Sequence, residues 1–333
     1  MKQIMPSILL ASAAILLLPL TVRGNTSPER SPSGSTAEDA APVLSVQAAA
    51  PQEICRLLET ASGTVQEIPL REYLIGAVAA EMPASYEPAA LAAQAVAIRT
   101  YFERMHRIAQ QTPDPALCGA DLSDDARHYL AYCPDAQLRT LWGEDYARNY
   151  AKIAEAAETG LSRMLCADGE PVAAAFHAIS AGMTENAEAV WGTALPCLTS
   201  VSSDADRSAP HFEERIALPP DSVQKALGGI PLPEDPAEWF VPEEVTEAGT
   251  VLRMRCGGTV FSGQQIREML GLRSACFTVT FGEGQLVFTT HGFGHGVGMS
   301  QYGANEMARA GSTFEEILLH YYPGAEICGI AAP

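Results

Sequence analysis

Basic charge is scarce in this chain of 333 residues: 21 Lys and Arg stand against 40 Asp and Glu, a formal net charge of −19. No Lys/Arg tract offers a phosphate footprint, and such a surface repels nucleic acid and anionic lipid, so nucleic-acid binding is excluded as a main role. There is no G-x-x-x-x-G-K-S/T phosphate cradle, no CxxC repeat of a zinc module and no internal repeat. Long hydrophobic runs are absent too, save one. After Lys2, an almost uncharged stretch from about Ile4 to Val22 is a secretory signal or a single membrane span. No small-x-small cleavage site follows it, so residues 1–23 are expected to be an uncleaved anchor that places the rest outside the cytoplasm; Lys2 and Arg23 signal orientation only weakly.

What is present is enough apolar material for a core, 47% of the residues. Residues 24–51, rich in Ser, Pro, Ala and Thr without periodicity, read as a solvated tether. Residues 52–330 read as one exported α+β domain. Two helical patterns open it, "PLREYLIGAVAAEM" ending at Pro83 and "EPAALAAQAVAIRTYFERMHRIAQ" with Pro88 at a first helical position. A polar segment from Gln111 to about Leu138 reads as a long loop. Asp168-Gly169 between apolar runs signals a hairpin. The Pro/Glu-rich region from about Ser208 to Glu247 reads as an insertion with some helix. Short strands are expected in "GTVFS" and "CFTVTFGEGQLVFTTHGFGHG", and a last helix is expected after Ser312 and Glu315 in capping-box spacing. The eight cysteines (Cys55, Cys118, Cys133, Cys166, Cys197, Cys256, Cys276, Cys328) can pair in an exported chain, Cys118 and Cys133 being nearest in sequence.

One carboxylate breaks the pattern. At 100° per residue, Leu74, Val78 and Glu81 share a helix face at i, i+4 and i+7, so Glu81 projects from the stripe that faces the core. It also sits at the helix C-terminus, where the dipole disfavours negative charge. Desolvation and dipole both raise its pKa, as a general acid requires; a structural carboxylate, hydrogen-bonded or ion-paired, is the alternative. Arg99, on the border of the second helix's apolar stripe, either approaches a cleft carboxylate or is solvated.

Further on, "HGFGHGVGMSQYG" sets Gly292, Gly294, Gly296 and Gly298 at alternate positions. In an extended chain they make one face bare, open to a flat ligand or another backbone, and His291, Phe293, His295, Val297 and Met299 occupy the other. A zinc-protease helix does not fit four interleaved glycines. Gln301, Tyr302 and Asn305 supply neutral hydrogen-bonding groups suited to sugar hydroxyls and amides. Ser180 to Thr184, followed by Trp191, form another polar turn.

Three segments together resemble the stage II sporulation protein D family, relatives of the amidase enhancers: "VAAEMPASYEPAALAAQAVAIRTY", "AAAFHAISAGMTENAEAVWG" with "PCLTSVSSDAD", and "HGFGHGVGMSQYGANEMARAGSTFEEILLHYYPGAEI". "FSGQQIREMLGLRS" is similar to the family's middle region. The resemblance covers roughly Ile54 to Cys328. It implies a membrane-anchored lytic transglycosylase that cleaves the bond between N-acetylmuramic acid and N-acetylglucosamine in peptidoglycan glycan strands, stripped of stem peptides by a partner amidase during forespore engulfment. It puts the catalytic acid at Glu81 and substrate contacts at Arg99, Ser180, Thr184, His291, His295, Gln301 and Tyr302. The competing implication is a glycan-binding module that enhances a partner amidase without catalysis. Some members hold zinc in the loop after the second helix. Here, in "CGADLSDDARHYLAY", Ser123 and Tyr129 stand at the two cysteine positions, so no metal or other cofactor is expected. Cys118, His128 and Cys133 are the alternative ligands at shifted positions. Ala181 stands where relatives often carry Gly.

Overall fold

The computed structural model describes residues 53–330. The expected anchor (1–23) and tether (24–51) lie outside them, and no helix of the described residues is long and apolar enough to cross a membrane.

Strands come first, ahead of the helical pair. β1 (Ile54–Glu59) and β2 (Thr64–Pro69) form an antiparallel hairpin whose turn closes at Gly63, φ +70°. The two expected helices follow with little displacement, α1 at Leu70–Glu81 and α2 at Pro88–Gln111 with Pro88 at its first turn. The following segment is not all loop: β3 (Leu122–Ser123) pairs in parallel with β1, and α3 (Asp135–Trp142) begins before the expected end. α4 (Tyr146–Ser162) buries Ile153, Ala154, Ala156, Ala157 and Gly160 along one side. This helix has no counterpart among the expected elements, because alanine and glycine carry weak apolar signal. The expected hairpin then appears as β4 (Arg163–Ala167) and β5 (Glu170–Pro171); Asp168 and Gly169 both take positive φ, the twist a two-residue antiparallel turn needs. β6 (Phe176–His177) and α5 (Ala187–Trp191) complete the first stretch.

The region expected as an insertion with some helix, from about Ser208 to Glu247, holds more strand than helix. It contributes β7 (Glu213–Leu218), α6 (Pro220–Ala226) and β8 (Phe240–Val245). β9 (Val251–Cys256), β10 (Thr259–Phe261), α7 (Gly263–Leu270), β11 (Phe277–Gly282) and β12 (Gln285–His291) continue it. Two three-stranded sheets result, ordered β10-β9-β8 and β11-β12-β7. The chain then returns through β13 (Met299–Ser300), α8 (Gln301–Arg309), α9 (Phe314–Tyr321) and β14 (Glu326–Gly329); β13 pairs with β6, and β14 with β4. The capping box of α9 is formed by Thr313 and Glu316, one residue on from the expected Ser312 and Glu315, since Thr313 Oγ1 accepts from the Glu316 amide.

Mixed helices and strands thus bear out the α+β class. Two hydrophobic clusters hold them. The larger surrounds α2, which packs against α1, α4, α8, α9 and β4 and is buried on all sides from Ala90 to Phe102. Its alanines let neighbouring backbones approach closely. A Cβ at Gly160 of α4 would stand 2.8 Å from the Ala95 carbonyl oxygen. The smaller cluster gathers Val223, Trp239, Met254, Ile266, Phe277 and Phe288 between the insertion's sheets and helices.

Candidate functional site

Glu81 ends α1 with 7% of its surface exposed, while Leu74 and Val78 on the same stripe are fully buried. Met82 takes an extended conformation and stops the helix before Pro83, as the residue preceding a proline must. One partner touches the carboxyl: the Ala131 amide donates to Oε1 at 3.2 Å. Burial raises the Glu81 pKa to about 7, and the Ala131 hydrogen bond opposes this only partly. Among the described residues no ion pair relieves the buried charge, while the Ala131 hydrogen bond is the contact a structural, hydrogen-bonded carboxylate would also make.

Arg99 does not meet it. Its guanidinium, 2% exposed, binds Glu53 at 2.8 Å and Glu103 at 2.9 Å and stacks over Phe102. This corrects both expectations for Arg99: it is neither a cleft residue nor solvated, because α2 is enclosed on every side and its cation had to be neutralised locally.

The glycine ladder is not extended. Gly292, Gly294, Gly296 and Gly298 have φ of +75°, +115°, +82° and +72°, values that L side chains rarely adopt. Nor is their open side a ligand platform. A Cβ at Gly292 would approach the Ile179 carbonyl oxygen to 2.7 Å, at Gly294 the His177 Cβ to 2.7 Å, and at Gly298 the Ala175 carbonyl oxygen to 2.0 Å. The glycines exist so that one irregular backbone can lie against another, residues 175–185, which contains the polar turn. The alternate residues therefore do not share a face. His291 is half-buried, 3.4 Å from Glu213, on the rim of a cavity of about 670 Å³ that Ala181, Met183, Arg207 and Phe212 also line. His295 is buried against His177 and Trp191, its Nδ1 accepting from the Val297 amide. Burial holds His295 well below the ordinary histidine range and pushes His177 down to about 4, so both rings are neutral near pH 7.

Several expected substrate contacts are already engaged. Ser180 Oγ accepts from the Gly182 amide and Thr184 Oγ1 from the Val201 amide; both residues are buried. Gln301 is buried with its amide 3.4 Å from Gln94 Oε1. Ser180, Thr184, His295 and Gln301 therefore shape the loops instead of presenting free groups, whereas His291 and Tyr302 stay partly exposed.

A residue that sequence reasoning passed over organises this region. Asp206, fully buried, accepts from the Ser180 amide at 2.8 Å and the Ser300 hydroxyl at 2.9 Å, beside the Ser203–Tyr321 hydrogen bond. It thereby joins the polar turn to the start of α8. Burial raises its pKa despite these donors. Its one signal in the sequence was its place at the end of the quoted "PCLTSVSSDAD" segment.

The shifted zinc set does not assemble. Cys118 is exposed, His128 faces Asp125, and Cys133 is buried beside Tyr132; among the described residues no group of three or more His, Cys, Asp or Glu is placed to hold a metal ion. Nor do Cys118 and Cys133 form a disulfide.

A family model described as stage II sporulation protein matches residues 59–165, the stretch that carries Glu81 and its cover. Stage II sporulation protein D of Bacillus amyloliquefaciens is 40% identical over 268 residues, 80% of this chain and 76% of that protein. The chain belongs to the stage II sporulation protein D family. The Bacillus subtilis (strain 168) member is 39% identical over 80% of this chain and 77% of its own length. The amidase enhancer of the same organism is 24% identical, over 76% of this chain and 40% of that protein.

Proposed function

We propose that the chain is a lytic transglycosylase of peptidoglycan, acting in sporulation on glycan strands freed of stem peptides, with Glu81 as sole acid and base. The observation that carries this reading is a buried carboxyl whose pKa of about 7 comes from burial with no neighbouring carboxylate involved. Hydrolytic glycosidases pair two carboxyl groups across the scissile bond. Glu87, the nearest acid in sequence, is partly exposed and faces Arg309 at 3.9 Å. With the Ala131 amide bound to Oε1, the proton belongs on Oε2. From there it passes to the glycosidic oxygen. The resulting carboxylate then takes the proton of the muramyl 6-hydroxyl as that oxygen attacks C1, so no water is consumed and a 1,6-anhydro end forms. His291 and Tyr302, the exposed members of the expected set, are the proposed sugar contacts. A membrane anchor in residues 1–23, a single folded domain from 52 to 330, placement outside the cytoplasm and a partner cell-wall amidase belong to the same proposal.

The amidase enhancer relative supports a second reading, a glycan-binding module without catalysis. Glu81→Gln separates the two. In the enzyme reading the variant binds purified denuded strands and releases no anhydro-ended products by mass spectrometry. Full product release by the variant, or none by the parent, rejects catalysis at Glu81.

A further inference from the structure

Two thiols that are remote in sequence meet at the edge of a sheet. β14 pairs antiparallel with β4 in the register Glu326 to Cys166 and Cys328 to Met164. Opposed residues share a face, and so do residues two apart, so Cys166 and Cys328 are diagonal neighbours on one side of the ladder. Burial first, and then the neighbouring Cys328 thiol, raise the Cys166 pKa, as expected of two thiols set on one face of the ladder. Cys166 is buried and Cys328 partly exposed, an arrangement with an accessible thiol in front of a sheltered one. Diagonal neighbours start farther apart than opposed ones, so a bond asks for a small shift of one strand. β14 can supply it, being a four-residue strand with β4 as its one sheet neighbour.

We propose that Cys166 and Cys328 are a redox-modified pair that closes into a disulfide, fastening the C-terminal strand to β4. The oxidant is a small-molecule disulfide or a thiol-disulfide oxidoreductase. The Cys328 thiolate attacks one sulfur of that disulfide and expels the other as a thiolate. The Cys166 thiolate then attacks the Cys328 sulfur of the mixed disulfide and expels the second thiolate. Two protein S–H bonds are lost, one S–S bond forms, and the two electrons and two protons end on the reduced oxidant. The bond encloses the insertion, the glycine ladder, α8 and α9 in one covalent loop, which restricts the unfolded chain strongly. Its occurrence in the cell rests on the proposed placement outside the cytoplasm, where disulfides persist.

The test uses the full-length chain in detergent, incubated with oxidised glutathione, alkylated and mapped by mass spectrometry without reduction. Expected are a linked Cys166–Cys328 peptide, loss of two alkylatable thiols, and a Tm raised by several degrees, on the order given by long-loop closure, all reversed by dithiothreitol. In Cys328→Ser, Cys166 stays alkylatable and Tm ignores the oxidant. A glutathione adduct that persists on Cys328 while Cys166 remains free, linkage of either residue to another cysteine, or the same Tm response in Cys328→Ser overturns the proposal. Placement is read separately, by labelling exposed Cys118 in intact cells with a membrane-impermeant maleimide; absence of label there counts against export and leaves the thiol chemistry standing.

Discussion

Glu81 shows how one side chain links stability to chemistry. Its pKa of about 7, against an ordinary value of 4.5, means that the folded state keeps a proton which the unfolded chain releases. The sign follows: its contribution is fully present below pH 4.5 and is lost as pH rises through about 7. The gap amounts to roughly 3 kcal/mol, as an order of magnitude, at 1.36 kcal/mol per unit. Glu81→Gln should therefore gain stability relative to the parent between pH 4.5 and 8 and match its pH dependence below that range, as read by denaturant midpoints across pH. Under the proposed mechanism the same titration predicts that glycan cleavage by the parent declines as pH climbs past neutrality, because the acid is lost. An activity still rising at pH 9 would count against a protonated Glu81 as donor.

At the scale of elements, the glycine ladder and the last helix make separate claims. Gly298→Ala sets a methyl 2.0 Å from the Ala175 carbonyl oxygen at a φ of +72°, so both backbone and contact must yield. A loss of about 2 to 4 kcal/mol is expected, the range of overpacking plus backbone strain, measured by urea unfolding. Gly63→Ala, with open space around it, should lose much less. For α9, Thr313→Ala should lower stability by about 1 kcal/mol and Ser312→Ala by almost nothing, since the cap hydroxyl belongs to Thr313.

Across the whole molecule the charge of −19 sets how the chain would meet the polyanionic wall of the proposed function. Added salt screens repulsion between like-charged partners. On the proposed function, binding to denuded glycan strands should hold or tighten between low and physiological salt in sedimentation assays, and a steep loss of binding would reveal a basic docking surface and count against this expectation.

The sequence by itself determined the α+β class, the α1 and α2 boundaries, the β4–β5 turn and the inward placement of Glu81. Each follows from local rules: proline stops, a two-residue turn, a 3.6-residue period. Only tertiary structure decided what lies against the glycines, where Arg99 finds its counter-charges and how Asp206 binds Ser180 to Ser300. Apart from Glu103, four residues from Arg99 on the same helix, those partners are far apart along the chain, and no local period encodes them. The burial that raises the Glu81 pKa belongs to both levels: the helix period turns the carboxyl inward, and the fold brings Ala131, 50 residues away, to cover it.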